Sequence, residues 1–291
     1  MKSSILLKAT GSGQELPAAP DDGVALGSYD LWKGIKIEHH ILPPMQLPQH
    51  IINEHRLLVN IGQAVNFEWK VDGKWKKKIY RTGDFALQKH GNINEPRWDR
   101  EFSFIAIALD PGFVNEQVDI DNFSFAEQRG EQDLFLSDLS HRFLAELRQG
   151  SLAGKIYGES LAVAYAIHLA SNYKESGRKV FAPKGRLSAQ QLKQVIDYSN
   201  AFIHQNVGLN ELSAQANLSA FHFTRLFKST VGIAPHQFVL QLKLERSKQL
   251  IRSGKMSLTE IAYELGFNDQ AHFSNAFKKS LGISPRQFLK T

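Results

Sequence analysis

The sequence predicts an α+β chain. A small antiparallel β-barrel with a helical pair comes first, and an all-α region of two helix–turn–helix units joined by a long helix follows. Three observations carry this. A length of 291 residues suits two domains, each able to bury a core. Short apolar runs of period two fill the stretch from Gly34 to Leu109, and helical spacing replaces them afterwards. A block near the carboxyl end recurs at an offset of 50 residues. Composition narrows the classes further. With no cysteine, disulfides, zinc–thiolate sites, iron–sulfur clusters and a thiol nucleophile are excluded. A hydrophobic share of 42% excludes a disordered chain. No apolar run approaches the roughly 18 residues of a membrane span. The opening stretch has only Ile5–Leu7 as an apolar patch, too short for a secretory segment, so a cytoplasmic chain is expected.

Residues 1–25 are polar and rich in Gly and Pro, and read as a loose arm. Residues 26–175 read as a regulatory domain. Ile35 and Ile37 alternate, Leu57–Val59 is an apolar run, and Phe67, Trp69 and Val71 alternate up to Asp72-Gly73, a two-residue hairpin signal. Trp75, Lys77 and Ile79 return, and Asp84–Gln88 and Phe102–Leu109 close the series as a small barrel or sandwich. Leu134, Leu136, Leu139, Phe143 and Leu147 mark a helix that packs on the barrel or on a partner chain; a second runs from Ile156 to Tyr173. Residues 176–186, basic with Gly and Pro, read as a linker.

The barrel offers His39, His40, His50, His55 and His90 as metal ligands, but adjacent or oddly spaced residues of one strand point to opposite faces. No metal and no cofactor is expected, and no catalytic residue stands out. Trp32, Trp69, Trp75 and Trp98 suit stacking on a planar effector, or plain core.

Charge separates the two parts. Residues 1–186 hold 23 Lys/Arg and 23 Asp/Glu; residues 187–291 hold 12 and 6, which is the whole net charge of +6. A basic domain joined to a neutral one is the footprint of a nucleic-acid binder with a second module. Over 222–238 against 272–288, nine of 17 positions are identical, from His222-Phe223 and His272-Phe273 to Gln237-Phe238 and Gln287-Phe288. Upstream, Leu209–Leu212 aligns with Leu258–Ile261 at an offset of 49, so one residue has entered at the turn. Asn217 and Gly266 suit the left-handed turn. Ser219 and Asn268 suit the next N-cap. Gly232 and Gly282 stop that helix, and Pro235 and Pro285 open another. His222, Phe223, Leu226, Phe227 and Thr230 form its inner stripe, which makes His222 and His272 structural. Phe221, Thr224, Arg225 and Lys228 form the outer one, and Ala271, Ser274, Asn275 and Lys278, with Gln270 at the start, match it in the second copy. Phe221 contacts DNA or packs on the preceding helix. Arg suits guanine, Asn and Gln suit adenine, and Lys suits phosphate. Phe238–Ser253, with Phe238, Leu242, Leu250 and Ile251 buried, is a spacer of roughly 24 Å, fit to set the two helices about 34 Å apart in successive major grooves.

Residues 187–291 resemble the twin helix–turn–helix DNA-binding domain of the AraC/XylS family of bacterial transcription regulators. The resemblance rests on Leu244–Ile251, Ile261–Phe267, His272–Lys279 and Gly282–Pro285. It implies base contacts from Phe221, Thr224, Arg225, Gln270, Ser274 and Asn275, with Lys228 and Lys278 on phosphate. Many members carry Arg where this chain has Asn275, so the second helix reads a different base or none. The resemblance also implies a cupin-like effector sensor in front, echoed in Gly83–Leu87, His90 and Pro96. The expected function is an effector-responsive transcription regulator, an activator by family habit. Its expected partners are double-stranded DNA, RNA polymerase, a small-molecule effector and a second copy of the chain, with no membrane. A cupin-type metal-dependent enzyme fused to a DNA-binding domain is the alternative, and an architectural DNA binder is a third class.

Overall fold

The computed structural model describes residues 3–20, 22–28, 31–118, 123–151, 154–175 and 185–289. The chain divides into two units, residues 1–150 with 165–183, and residues 151–164 with 184–291. Residues 176–184 of the expected linker lie outside the described residues.

The first unit carries the β1 (Leu6–Ala9), β2 (Glu15–Pro17), β3 (Val24–Gly27), β4 (Ile35–Leu42), β5 (Met45–Gln46), β6 (His50–Ile52) and β7 (His55–Asn60) strands. It continues through β8 (Val65–Val71), β9 (Lys74–Tyr80), β10 (Asp84–Gln88), β11 (Ile93–Asn94), β12 (Pro96–Trp98) and β13 (Phe102–Leu109). The α1 helix (Pro111–Val118), β14 (Gln128–Gln132) and the α2 helix (Leu134–Arg148) follow, and the α3 helix (Gly154–Asn172) has residues 154–164 in the second unit and the rest in the first. The strands pair antiparallel in three sheets, ordered β11-β6-β1-β2, β14-β10-β7-β13-β4-β3 and β5-β12-β8-β9. The expected antiparallel β-domain is present, but hydrogen bonding does not close it into a ring: each sheet ends on two edges. Pro43, Pro44, Pro48 and Pro96 flank or enter the shortest strands, where a missing N–H interrupts the ladder. Asp72 (φ 49°) and Gly73 (φ 76°) make the β8–β9 turn, with Val71 opposite Lys74. β9 is an edge strand, and its lysines discourage pairing with another chain.

One apolar interior joins the sheets, with Leu7, Leu58, Ala106, Phe67 and Trp98 among its members. The Phe67 ring stacks 4.6 Å from Tyr80 and 6.2 Å from Trp98. Trp32 and Trp98 are buried core residues, whereas Trp69 and Trp75 are half-buried. Trp75 lies under the Arg97 guanidinium at 3.9 Å.

The loose arm expected over residues 1–25 is corrected. Ile5 and Leu7 are buried, and β1 pairs with both β2 and β6. Buried Glu38 holds this segment, accepting from Ser3 Oγ at 2.7 Å and from the Ile5 N–H at 3.2 Å. Gly11 and Gly23 sit in its turns, and Pro17 ends β2. On α2, Leu136, Leu139 and Phe143 are buried within the unit, with Phe143 5.2 Å from Trp32 and 6.3 Å from Tyr165. Leu134, at the first turn, is 86% exposed. Asp133 caps α2 and also accepts from His168 Nε2 and Tyr173 Oη, each at 2.7 Å. Burial pushes its carboxyl up, but the His168, Tyr173 and Leu136 N–H bonds outweigh burial and hold it at about 2.

The second unit carries the α4 (Ala189–Ala201), α5 (Leu209–Gln215), α6 (Ala220–Val231), α7 (Pro235–Ser253), α8 (Leu258–Glu264), α9 (Gln270–Leu281) and α10 (Pro285–Phe288) helices. Among the described residues no helix is long and apolar enough to cross a membrane.

Candidate nucleic-acid interface

The internal repeat folds as a repeat. α5 and α8 start 49 residues apart, α6 and α9 start 50 apart, and Pro235 and Pro285 open α7 and α10. Each copy uses the same devices. Glu211 Oε2 accepts from the Gly208 N–H at 2.6 Å, and Glu260 Oε2 accepts from the Ser257 N–H at 2.7 Å, so both leading helices begin on a glutamate that reaches back to the N-cap; only Ser257 returns the bond, accepting from the Glu260 N–H at 3.2 Å. Asn217 (φ 53°) and Gly266 (φ 65°) supply the left-handed residue of the turn. Ser219 caps α6, while Asp269, not Asn268, caps α9. The extra residue of the second turn therefore lies before the cap, which keeps Ser219 and Asp269 at the 50-residue offset. Gly232 (φ 87°) and Gly282 (φ 80°) end the two helices.

The same aromatic triad holds each second helix. Phe227 lies 5.4 Å from Phe223 and 5.4 Å from Phe238; Phe277 lies 5.7 Å from Phe273 and 5.6 Å from Phe288. With Leu226 and Thr230 also buried, one face of α6 is fixed inward and the opposite face must be outward. Phe221, Arg225 and Lys228 are exposed there, Phe221 at 85%, so it does not pack on the preceding helix. Thr224 is half-buried, and its hydroxyl donates to the Ala220 carbonyl at 2.8 Å. On α9, Asn275 and Lys278 are exposed, and Gln270 and Ser274 are half-buried. Thr259 Oγ1 donates to Gln270 Oε1 at 2.7 Å and so fixes the amide group at the helix start. Among the described residues, no carboxylate forms an ion pair with Arg225, Lys228, Lys278 or Lys279.

His222 and His272 depart from their expected place, since both are exposed. His222 lies about 90° around the helix from the middle of the buried stripe, so the stripe ends at Phe223. His272 keeps only an edge contact, 5.5 Å from the Phe267 ring. Both histidines join the outward faces, a placement that a helical wheel centred on Leu226–Phe227 would have revealed. Tyr263 on α8, 62% exposed, is a further outward aromatic that periodicity alone did not single out.

α7 links the copies. Its 19 residues give about 28 Å of helix, with Phe238, Leu242 and Ile251 buried as expected and Leu250 half-buried. Lys243 is buried inside this helix. Its ammonium donates to the Gln205 carbonyl at 2.9 Å and to the Gly266 carbonyl at 3.3 Å, and lies 5.5 Å from the Phe267 ring. Burial lowers its pKa. One side chain thus ties the turn of the second copy to the loop that precedes the first.

A family model described as a helix–turn–helix domain matches residues 212–291. The chain is 38% identical over 75 residues to the probable transcriptional regulator LumQ of Photobacterium leiognathi, covering 26% of this chain and 30% of that protein. It is 35% identical over 72 residues to the MmsAB operon regulatory protein of Pseudomonas aeruginosa, covering 25% and 24%. The match thus spans less than a third of these relatives' own length. Among solved structures, the C-terminal domain of AraT, a response regulator from Geobacillus stearothermophilus, is 28% identical with a TM-score of 0.34 and covers 36% of this chain and 87% of that one.

Proposed function

We propose, on the premise that the carboxy-terminal domain of this chain is an AraC-type helix–turn–helix domain, that the protein is a sequence-specific DNA-binding transcription regulator under effector control. The observation that carries this is the pair of like-built helices, α6 and α9, each held inward by an aromatic triad. They present Phe221, Thr224, Arg225 and Lys228 on one and Gln270, Ser274, Asn275 and Lys278 on the other. In this reading α6 and α9 enter successive major grooves, about 34 Å apart. Arg225 pairs with a guanine edge, Gln270 and Asn275 suit adenine, and Thr224, whose hydroxyl serves its own helix, offers a methyl to thymine. Lys228 and Lys278 hold phosphate and set position.

The front unit is read as a cupin-like sensor without catalytic activity, which shifts the population of DNA-competent forms. Recruitment of RNA polymerase, activation and pairing with a second copy belong to the same reading. Support for the regulatory reading comes from the relatives, which are named as regulators; the histidines of the β unit make local contacts. His39 Nε2 meets Ser103 Oγ at 3.0 Å, His40 meets Glu38, and His90 Nδ1 donates to the Asn53 carbonyl at 2.7 Å. No group of three or more His, Asp or Glu side chains with metal-holding geometry is present among the described residues.

Selection of bound duplexes from a random pool, followed by a salt titration on selected and random DNA, tests the proposal. A preference of at least about a thousandfold for selected sequences is expected. Equal affinity for both pools leaves only an architectural binder.

A further inference from the structure

The β unit contains a cationic group with no anion to meet it. Arg56 lies on β7, on the face shared with Leu58, and its side chain is wholly enclosed. Its Nε donates to Gln88 Oε1 at 2.8 Å, and one Nη lies 3.4 Å from His50 Nε2. His50 Nδ1 donates to the Pro48 carbonyl at 2.8 Å, which leaves Nε2 as a neutral acceptor facing Arg56. Both partners are therefore uncharged, and among the described residues no carboxylate forms an ion pair with Arg56. Arg129 stands near enough to add like charge; burial and that neighbour hold the Arg56 guanidinium down to about 9, still cationic at neutral pH. Glu38 does not answer it, because its oxygens are taken by Ser3, Ser4, Ile5 and His40.

An isolated interior charge costs several kcal/mol, and natural interiors pair such charges or exclude them. Here the surroundings add further unanswered donors. Asn94 Nδ2 and Gln88 Nε2 are buried with no partner among the described residues; His40 Nδ1, on a ring that donates through Nε2 to Glu38, is a buried acceptor likewise without one. Arg56, Asn94 and His40 line one cavity, and the rest of its wall is apolar, with Leu42, Phe67, Trp98 and Phe104 among its members. The cavity has a volume of about 20 Å³, room for one water. An occupant of more than a few heavy atoms must displace wall side chains, and Leu47 is the lining residue that is not buried.

We propose that this cavity binds a small organic monocarboxylate with an apolar body, its carboxylate pairing with Arg56 and accepting from Asn94, its body lying among the rings. Entry is past Leu47. A neutral ligand leaves the guanidinium unanswered, and a multiply charged anion meets an apolar wall with one enclosed arginine. The role of this acid as effector rests on the reading of the β unit as a sensor; the binding site itself does not.

The test is thermal melting and calorimetric titration of the full chain with benzoate and octanoate, against benzamide, octanamide and inorganic phosphate. At a hundredfold excess over Kd, at least one of the two acids is expected to raise the melting midpoint by about 5–10 °C, while its amide and phosphate leave it unchanged. Arg56→Met is expected to abolish the response and, by removing an unpaired interior charge, to raise the midpoint of the unliganded chain. Should that variant not fold, Leu47→Trp, which fills the mouth from a half-exposed position, is expected to lose at least tenfold in affinity with its own midpoint unchanged. Acids without effect on the wild-type chain, amides that act as well as acids, or full binding by Arg56→Met each overturn the proposal. Affinity for the selected duplex, measured on the same samples, separates the two readings. Acid binding that leaves DNA affinity unchanged upholds the site and removes its role as a sensor; absence of acid binding with DNA binding intact overturns the site and leaves the DNA-binding reading standing.

Discussion

At the residue scale, Arg225 and Lys228 occupy one exposed face of α6 but are expected to behave differently. Arg225→Ala should weaken binding to the selected duplex by about 1–3 kcal/mol and relax preference at one base. Lys228→Ala should weaken all sequences alike and reduce the salt slope by about one. Competition binding against single-base variants at several salt concentrations distinguishes them, and a uniform loss for Arg225→Ala would make it a phosphate contact. Gly266 is constrained twice over. Its φ is 65°, and an added Cβ would stand 2.6 Å from the His204 carbonyl oxygen, which belongs to backbone and cannot swing aside. Gly266→Ala should therefore destabilise the helical unit by about 1–3 kcal/mol, read by chemical denaturation, whereas Asn217→Gly in the first turn should be nearly neutral. These turn residues were legible because left-handed backbone selects Gly and Asn. The N-cap of α9 was not, since Asn268 and Asp269 both have the chemistry and only the position of the inserted residue decides between them. His222 was misplaced because a four-residue spacing to Leu226 looks like membership of the stripe, although it falls at the stripe's margin.

Elements differ in how plainly the sequence announces them. α6, α7 and α9 are bounded by Gly232, Pro235, Gly254 and Gly282, residues with one physical use at such places, and the repeat states the Gly232 and Pro235 boundaries a second time at Gly282 and Pro285. The β strands lack that help. β5, β6, β11 and β12 have two or three residues each, too short for alternation to be read. β1 was hidden because its apolar residues are few; what holds it is Glu38, 33 residues away from Ile5 in the chain. Lys243 is the element-scale device that periodicity cannot show, because a lysine on an apolar stripe reads as an error until its two carbonyl partners are seen. Lys243→Met keeps the stem and removes the donors. It should cost about 1–3 kcal/mol in stability by leaving the Gln205 and Gly266 carbonyls unanswered. It should also lower affinity for a full two-groove duplex more than for a duplex bearing only one half. Equal losses on the two duplexes would show that Lys243 serves stability alone and does not hold the two copies in register.

For the whole molecule, acid should act on the two units unequally. His50 and His55, both in the β unit, are held down to about 4, each first by burial and then by a neighbouring charge, Arg56 for His50 and His90 for His55. Unfolded, each returns to its ordinary value of 6.5 and binds a proton that the folded state refuses. Stability therefore falls as pH drops from about 7 toward 4, by on the order of 2 kcal/mol for each histidine at pH 5. Asp133, held at about 2, adds a further loss only below about pH 4. Trp32, Trp69, Trp75 and Trp98 all lie in the first unit, so tryptophan emission follows that unit alone, while helical circular dichroism follows the second as well. Urea midpoints by emission should drop between pH 7 and pH 5, with a helical signal that persists to higher urea; coincident, pH-independent transitions would refute the assignment. The unlikeness of the two copies has a last consequence. If α6 shows Phe, Thr and Arg to DNA where α9 shows Gln, Ser and Asn, the sequence that one chain prefers has no mirror within it and carries a polarity. Turning such a site end for end beside a promoter would reverse the order in which α6 and α9 lie along the duplex.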